Sequence, residues 1–461
     1  MLVDWIADHL AIFMFLVLTF IMFVGYPVAF VLGGIALGFA VLGMFFDVFR
    51  PAQLGSLIPR IWGQAVQNQV LIAVPMFVFM GTILERSGVA DEMLKALQVL
   101  TRRIPGGLAM SVTIMGTIMA ATTGIVGASV IMLTLIALPT MLARGYSKEL
   151  SVGTIASAGT LGILIPPSIM LVIMGDLMTI SVGTLFTAAI IPGLVMSGVY
   201  LVYIGILAFL KPELAPPLEA ASGPQGQAEF WRMILRSFLP PAFLIFVVLG
   251  SIFGGWATPT EAGGTGCAGA LLLAWWNKRL NMKMMSEVIE SSALTNALVF
   301  FIVFGATLFS FVFRALGGDD VVAELLKAVG IDTGWEILIF VMVLVFLMGF
   351  FFDWLEICLI VLPIFAPILL KVDFTPHIAA NKDFMVWFVI LVAVNLQSAF
   401  LTPPFGFALF YMKATVPPEV TMRHIYRGIV PFVALQMVAL TFCIIWPEII
   451  LWLPRYFGFF D

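Results

Sequence analysis

Apolar stretches long enough to cross a lipid bilayer recur along the whole chain, and this constrains the fold more than any single motif does. A crossing takes ~20 apolar residues. The stretches near 10–46, 69–84, 108–143, 150–175, 182–210, 238–276, 292–313, 335–370, 385–412 and 428–453 supply about ten to thirteen. Only 10% of the 461 residues are charged and 62% are hydrophobic, too little polar surface to coat a soluble globule. An all-α polytopic membrane protein with lipid as its solvent is expected. The N-terminal apolar run continues well beyond signal-peptide length and has no basic n-region, so it reads as a retained, spanning segment.

Several of these stretches are the wrong length for one plain span. Residues 335–370 carry Asp353 and Glu356 near their middle and Pro363 and Pro367 later, and 108–143 has Gly124 and Gly127 at its centre. Such segments read as re-entrant hairpins or broken helices, tolerated at membrane depth only where protein or a watery cavity satisfies the freed backbone groups. The one long polar insertion, from Lys211 to about Arg236, is rich in Pro, Gly, Gln and Glu and divides the chain near its midpoint. Landmarks recur on either side of it in the same order. Gly25-Tyr26-Pro27 answers to Gly255–Pro259, Gly124–Ser129 to Gly349–Asp353, and Ile165-Pro166-Pro167 to Thr402-Pro403-Pro404. This predicts a first repeat over 1–210, a linker over 211–237 and a second repeat over 238–461. Interrupted hydrophobic segments at matching places in two halves point to a transporter whose sites lie between the repeats near the midplane. Glu85–Arg103 and Asn277–Glu290 read as amphipathic connectors on the surface.

The chemistry-bearing residues exclude more than they propose. A formal charge of −4 offers no basic surface for nucleic acid. Cys267, Cys358 and Cys443 lie unpaired in apolar stretches, with no disulfide or zinc spacing. His9, His377 and His424 are dispersed, and neither a Walker A loop nor a nucleophile elbow is present. An enzyme, an organic cofactor and direct use of ATP are therefore not expected. Intramembrane ionisable residues cost on the order of 2.5–3.5 kcal/mol each, which marks Asp176, Glu261, Asp353 and Glu356 as functional candidates. Asp353 and Glu356 share one helix face beside a probable break; they either bind an ion, proton or substrate or cap a re-entrant helix. Glu261, in Ala257-Thr258-Pro259-Thr260-Glu261-Ala262, reads as a helix N-terminal residue. The proline pairs free upstream carbonyls. Gly162 and Ile165 with Pro167, and Ala399 with Thr402, would offer these hard oxygen ligands to Na⁺, or the prolines merely kink their helices.

At these motifs the sequence resembles the large membrane subunit, DctM type, of the tripartite ATP-independent periplasmic (TRAP) transporters. Gly25-Tyr26-Pro27, the tip at Gly124–Ser129, Arg144-Gly145-Tyr146, Gly162–Ser168, Ala257–Ala262 and Leu401–Pro404 carry the resemblance, which covers essentially the whole chain. It implies two inverted-topology repeats, each with a re-entrant hairpin and a broken helix, in an ion-transporter-like elevator fold driven by Na⁺. One Na⁺ site would join Ser129 to the Gly162, Ile165 and Pro167 carbonyls, and a second would join Gly349 to Ala399 and Thr402. Substrate would bind near the tips, around Gly124, Gly127, Asp353 and Glu356. A small four-helix membrane subunit (Q-type) and a periplasmic substrate-binding protein (P-type) would be its partners in the bacterial inner membrane. This chain departs from the family pattern in three places. The first tip runs Val126-Gly127-Ala128-Ser129 where Ser-Gly-Ser is common, Ala399 replaces a common glycine, and Asp353-Trp354-Leu355-Glu356 is more acidic than the usual tip.

The function expected is import of a small carboxylate with Na⁺. The alternatives are a stand-alone anion carrier or exchanger, an intramembrane hydrolase using Asp353 and Glu356, and a structural anchor with no repeat-related cavity.

Overall fold

Glycine and proline punctuate the long apolar runs at equivalent points in both halves of the chain. The computed structural model describes residues 5, 7, 9–123, 126–217, 227–372, 374–378, 381–403 and 406–459. Gly124 and Pro404 lie outside these residues, and among the described residues every regular element is helical. Leu10–Val24 ends at Gly25, whose φ of 87° suits a residue without Cβ, and Pro27 opens Val28–Phe45. The second half repeats the device: Gln227–Phe253 is followed by Gly255 at φ 68°, and Pro259 opens Pro259–Trp276. Left-handed glycine after a helix and proline at the start of the next make a sharp re-entry.

The remaining elements correspond in the same order. Ala73–Arg86 matches Met282–Ala315, and the amphipathic Val89–Thr101 matches Gly318–Ala328. Each half then has a helical hairpin: Gly107–Thr123 with Val126–Ala143, and Gly334–Met348 with Trp354–Leu369. A broken helix follows in each. The first is Lys148–Thr160, a 3₁₀ turn at Leu161–Ile163 and Ile169–Leu177; the second is Asn381–Ala399 and Phe407–Thr415. Val182–Leu210 and Met422–Ile445 close the two halves, and Glu448–Tyr456 follows the second. The halves are inverted-topology repeats that interlock: Val28–Phe45 packs on Met282–Ala315, and its counterpart Pro259–Trp276 packs on Ala73–Arg86. Small residues allow the close approach expected of membrane helices; a Cβ on Gly305 would lie 2.6 Å from the Ala29 carbonyl oxygen.

Six helices among the described residues are long and apolar enough to cross a bilayer alone, fewer than the apolar runs suggested. Of the five shorter apolar helices, all but Leu10–Val24 are parts of hairpins and broken helices. Gly334–Met348, at 15 residues, reaches ~22 Å against a core of ~30 Å. Apolar composition is the same in a hairpin arm and in a span, so runs alone overcount. Asn277–Glu290 also differs from expectation. It is not a separate connector, because Asn281 caps Met282–Ala315, a single 34-residue helix. At ~51 Å this helix exceeds the membrane core, so its polar first turns project beyond it, where Arg86 pairs with Glu287.

Surface chemistry agrees with lipid as solvent. Phe209 is 82% and Phe246 73% exposed, while Trp387 and Phe186 are fully buried. Trp256 precedes Pro259–Trp276, and Trp275 and Trp276 end it, all exposed, as an aromatic belt at two interfaces requires. At the centre, Lys148–Thr160 is buried along nearly its whole length. Its Gly153 faces Gly428, where a Cβ would run into the Gly428 carbonyl. Gly153→Leu is expected to destabilise by about 1–3 kcal/mol or more, as overpacking does. A thermal melt of the purified protein within a degree of wild type would refute this contact.

Candidate functional site: hairpin tips on helix breaks

Each break exists because proline cannot donate. Pro166 stands four residues after Gly162 and Pro167 four after Ile163, so neither carbonyl meets a helical N–H. Ser168 compensates one of them: its Oγ donates to the Ile163 carbonyl, and it caps Ile169–Leu177. The backbone instead tightens through Leu164 and Ile165 N–H bonds to the Leu161 carbonyl, each 3.0 Å. Gly162 is left with a carbonyl that has no helical donor. In the second broken helix Pro403 stands four residues after Ala399. The Ala399 carbonyl accepts a long 3.3 Å bond from Thr402 N–H, and the Thr402 hydroxyl donates to Ser398 O at 2.7 Å.

Each hairpin packs on the break of its own half. Both arms of the first hairpin pack on the 3₁₀ turn at Leu161–Ile163. Gly159 sits directly on Val130, with its would-be Cβ 3.2 Å from the Val130 amide nitrogen. Ser129, next to Val130, is buried. In the second half a Cβ on Gly349 would overlap that of Ala399, so the second tip touches the carbonyl-bearing residue of its break. Gly349, Ala399 and Thr402 are thereby gathered.

The halves also exchange contacts. Gly127, near the first tip, lies under the Tyr411 ring of the opposite half, with its would-be Cβ 2.8 Å from the ring. Ile169–Leu177 packs in turn on the second hairpin's arm, Trp354–Leu369. Asp353 and Glu356 form a capping box: Asp353 Oδ1 accepts from Trp354 N–H at 2.8 Å and Glu356 Oε2 from Asp353 N–H at 3.3 Å. Both carboxylates thus hold the N-terminus of Trp354–Leu369 at the second tip. Glu261 likewise caps, with Oε2 accepting from Thr258 N–H at 2.8 Å. Asp176 ends Ile169–Leu177 and accepts a 2.5 Å bond from Asn68.

Sequence reasoning passed over several members of this site. Asn395 Nδ2 donates to Met342 O at 2.6 Å and holds the second hairpin's first arm on the broken helix. Gln397 is fully buried with neither amide atom hydrogen-bonded. Asn395, Gln397 and Ser398 interrupt an otherwise apolar helix just ahead of Thr402, a legible signal, since polar groups inside a membrane need partners. Among the described residues no three of His, Cys, Asp and Glu come together. The donors on offer at the breaks are backbone and hydroxyl oxygens, the ligand type of hard cations.

Comparison with known proteins agrees with this architecture. Residues 13–449 match the model of the tripartite ATP-independent periplasmic transporter DctM component. The C4-dicarboxylate TRAP transporter large permease protein DctM of Pseudomonas aeruginosa is 28% identical over 89% of this chain and 92% of its own. The ectoine TRAP transporter large permease protein TeaC of Halomonas elongata is 29% identical over 90% of this chain and 92% of its own. In the isethionate TRAP transporter permease protein DctMQ of Oleidesulfovibrio alaskensis, 27% identical, 90% of this chain aligns with 62% of the relative's length. The crystal structure of the YdaH transporter of Alcanivorax borkumensis superposes with a TM-score of 0.60 at 15% identity, covering 88% of both chains, a likeness of fold. With interlocked repeats, two hairpins on two breaks and a family match over nearly its whole length, the chain is a multi-pass membrane permease, not an enzyme, and belongs to the DctM component family of the tripartite ATP-independent periplasmic transporters.

Proposed function

We propose that this permease imports a small organic acid across the bacterial inner membrane with Na⁺, taking substrate from a periplasmic binding protein and working beside a small four-helix membrane subunit. The repeats, 1–210 and 238–461 about the polar stretch 211–237, whose end from Gln227 already belongs to the helix Gln227–Phe253, each contribute one ion site. Ser129 with the Gly162, Ile165 and Pro167 carbonyls forms the first; Gly349, Ala399 and Thr402 form the second. The observation that carries this reading is the seating of each hairpin tip on a break whose prolines strip donors from carbonyls. Substrate binds near the tips, around Gly124, Gly127, Asp353 and Glu356, and the hairpins and broken helices move as an elevator against the surrounding helices. C4-dicarboxylate, ectoine and isethionate, in the names of the relatives, support a small organic acid as the substrate class. The fused DctMQ name supports the membrane partner.

Two Na⁺ with one monoanion carry a net positive charge inward, which gains ~2.3 kcal/mol per 100 mV of membrane potential. The test is uptake of radiolabelled carboxylates into proteoliposomes holding the permease, the small subunit and the binding protein. Uptake is expected to require an inward Na⁺ gradient and the binding protein, and Thr402→Ala is expected to weaken its Na⁺ dependence severalfold. Uptake by the permease alone, indifferent to Na⁺ and to Thr402→Ala, would establish a stand-alone anion carrier instead.

A further inference from the structure

An apolar groove of about 380 Å³ separates the second hairpin from the first helix and from the amphipathic Gly318–Ala328. Ala11 and Phe15 line it from Leu10–Val24, Val322 and Leu326 from Gly318–Ala328, and Leu344 and Phe365 from the two hairpin arms. Every residue lining it is apolar or glycine. Ile12, Val321 and Leu325 also line a neighbouring, wider cavity of about 750 Å³ that reaches His9, Asp320 and Glu324.

The two cavities are ordered along the first helix. The polar mouth sits at His9 and Ile12, and the apolar groove runs on to Leu16, roughly 10 Å deeper at 1.5 Å per residue. Gly318–Ala328 has the charge distribution of a helix lying at the membrane surface. Asp320 and Glu324, one turn apart and exposed, face the mouth and form no ion pair among the described residues, whereas neighbouring Asp319 lies 3.7 Å from Arg314. A cation is thus called for at the surface end and a hydrocarbon chain below it.

We propose that this groove is a binding site for one phospholipid with an ammonium head group, its acyl chain between the second hairpin and the helices Leu10–Val24 and Gly318–Ala328 and its ammonium at Asp320 and Glu324. The lipid bridges a hairpin and two neighbouring helices that otherwise leave a gap between them.

Native mass spectrometry of the purified permease, titrated with phosphatidylethanolamine or phosphatidylglycerol of equal acyl chains, tests this. Wild type is expected to hold one phosphatidylethanolamine more tightly than phosphatidylglycerol. Asp320→Asn with Glu324→Gln, both on the surface, is expected to cut that preference roughly fivefold, the scale of an exposed ion pair. Val322→Trp is expected to fill the groove and remove the adduct with the melting temperature unchanged; if this variant fails to fold, the neutralised pair still decides. Equal binding of both lipids, or a preference that survives neutralisation, overturns the proposal. So does loss of the adduct when the small membrane subunit is added, which would assign the groove to a helix of that subunit.

Discussion

Moving one methyl group across the contact between Gly349 and Ala399 is expected to switch transport off and then restore it. A Cβ on Gly349 would occupy the space of the Ala399 Cβ, and Ala399 is fully buried, so the tip has nowhere to retreat. Overpacking of this kind costs about 1–3 kcal/mol, and a tip displaced from its break would lose the proposed ion site. Gly349→Ala is therefore expected to lower Na⁺-driven uptake by at least about tenfold. Ala399→Gly alone opens a methyl-sized gap and is expected to cost little. The double variant, with the methyl on the other side of the contact, is expected to return most of the activity. A double variant no better than Gly349→Ala would show that this contact does not govern transport.

The second large effect concerns a single missing hydrogen. The Gly162 carbonyl has no helical donor because Pro166, four residues on, brings no N–H. Pro166→Ala supplies that donor, and a bond to the Gly162 oxygen worth about 0.5–1.5 kcal/mol would compete with an ion. The Na⁺ concentration for half-maximal uptake is expected to rise up to about tenfold, with the maximal rate largely retained at saturating Na⁺. An unchanged Na⁺ dependence in a folded Pro166→Ala variant would remove Gly162 from the ligand set. Because Thr402→Ala acts at the other break, the two substitutions probe the proposed sites separately.

The breaks themselves were legible, because proline acts on the residues near it: Gly162 and Ala399 lose the helical donor four residues on wherever the chain goes. The repeat was legible too, since Gly25 with Pro27 and Gly255 with Pro259 impose the same re-entry twice. The fate of the acidic tip was not. Asp353 and Glu356 at that spacing serve an ion or a helix end equally well, and only the extended backbone at Asp353 directs them to the Trp354 and Asp353 N–H groups. Asn395 and Tyr411 escaped because what each meets lies across the fold: Met342 O for the Asn395 amide, and Gly127 for the Tyr411 ring.

Sequence alone determined that this chain lives in lipid, that it is helical, that its halves repeat, and where its helices break; these depend on transfer free energy and on backbone donors, both local quantities. Tertiary structure decided which apolar runs span and which turn back, that each tip rests on the break of its own half, and that hairpin and broken helix also meet across the repeats. Those outcomes depend on packing between residues distant in the chain, where one methyl group at Gly349 or Gly153 decides whether two backbones can touch.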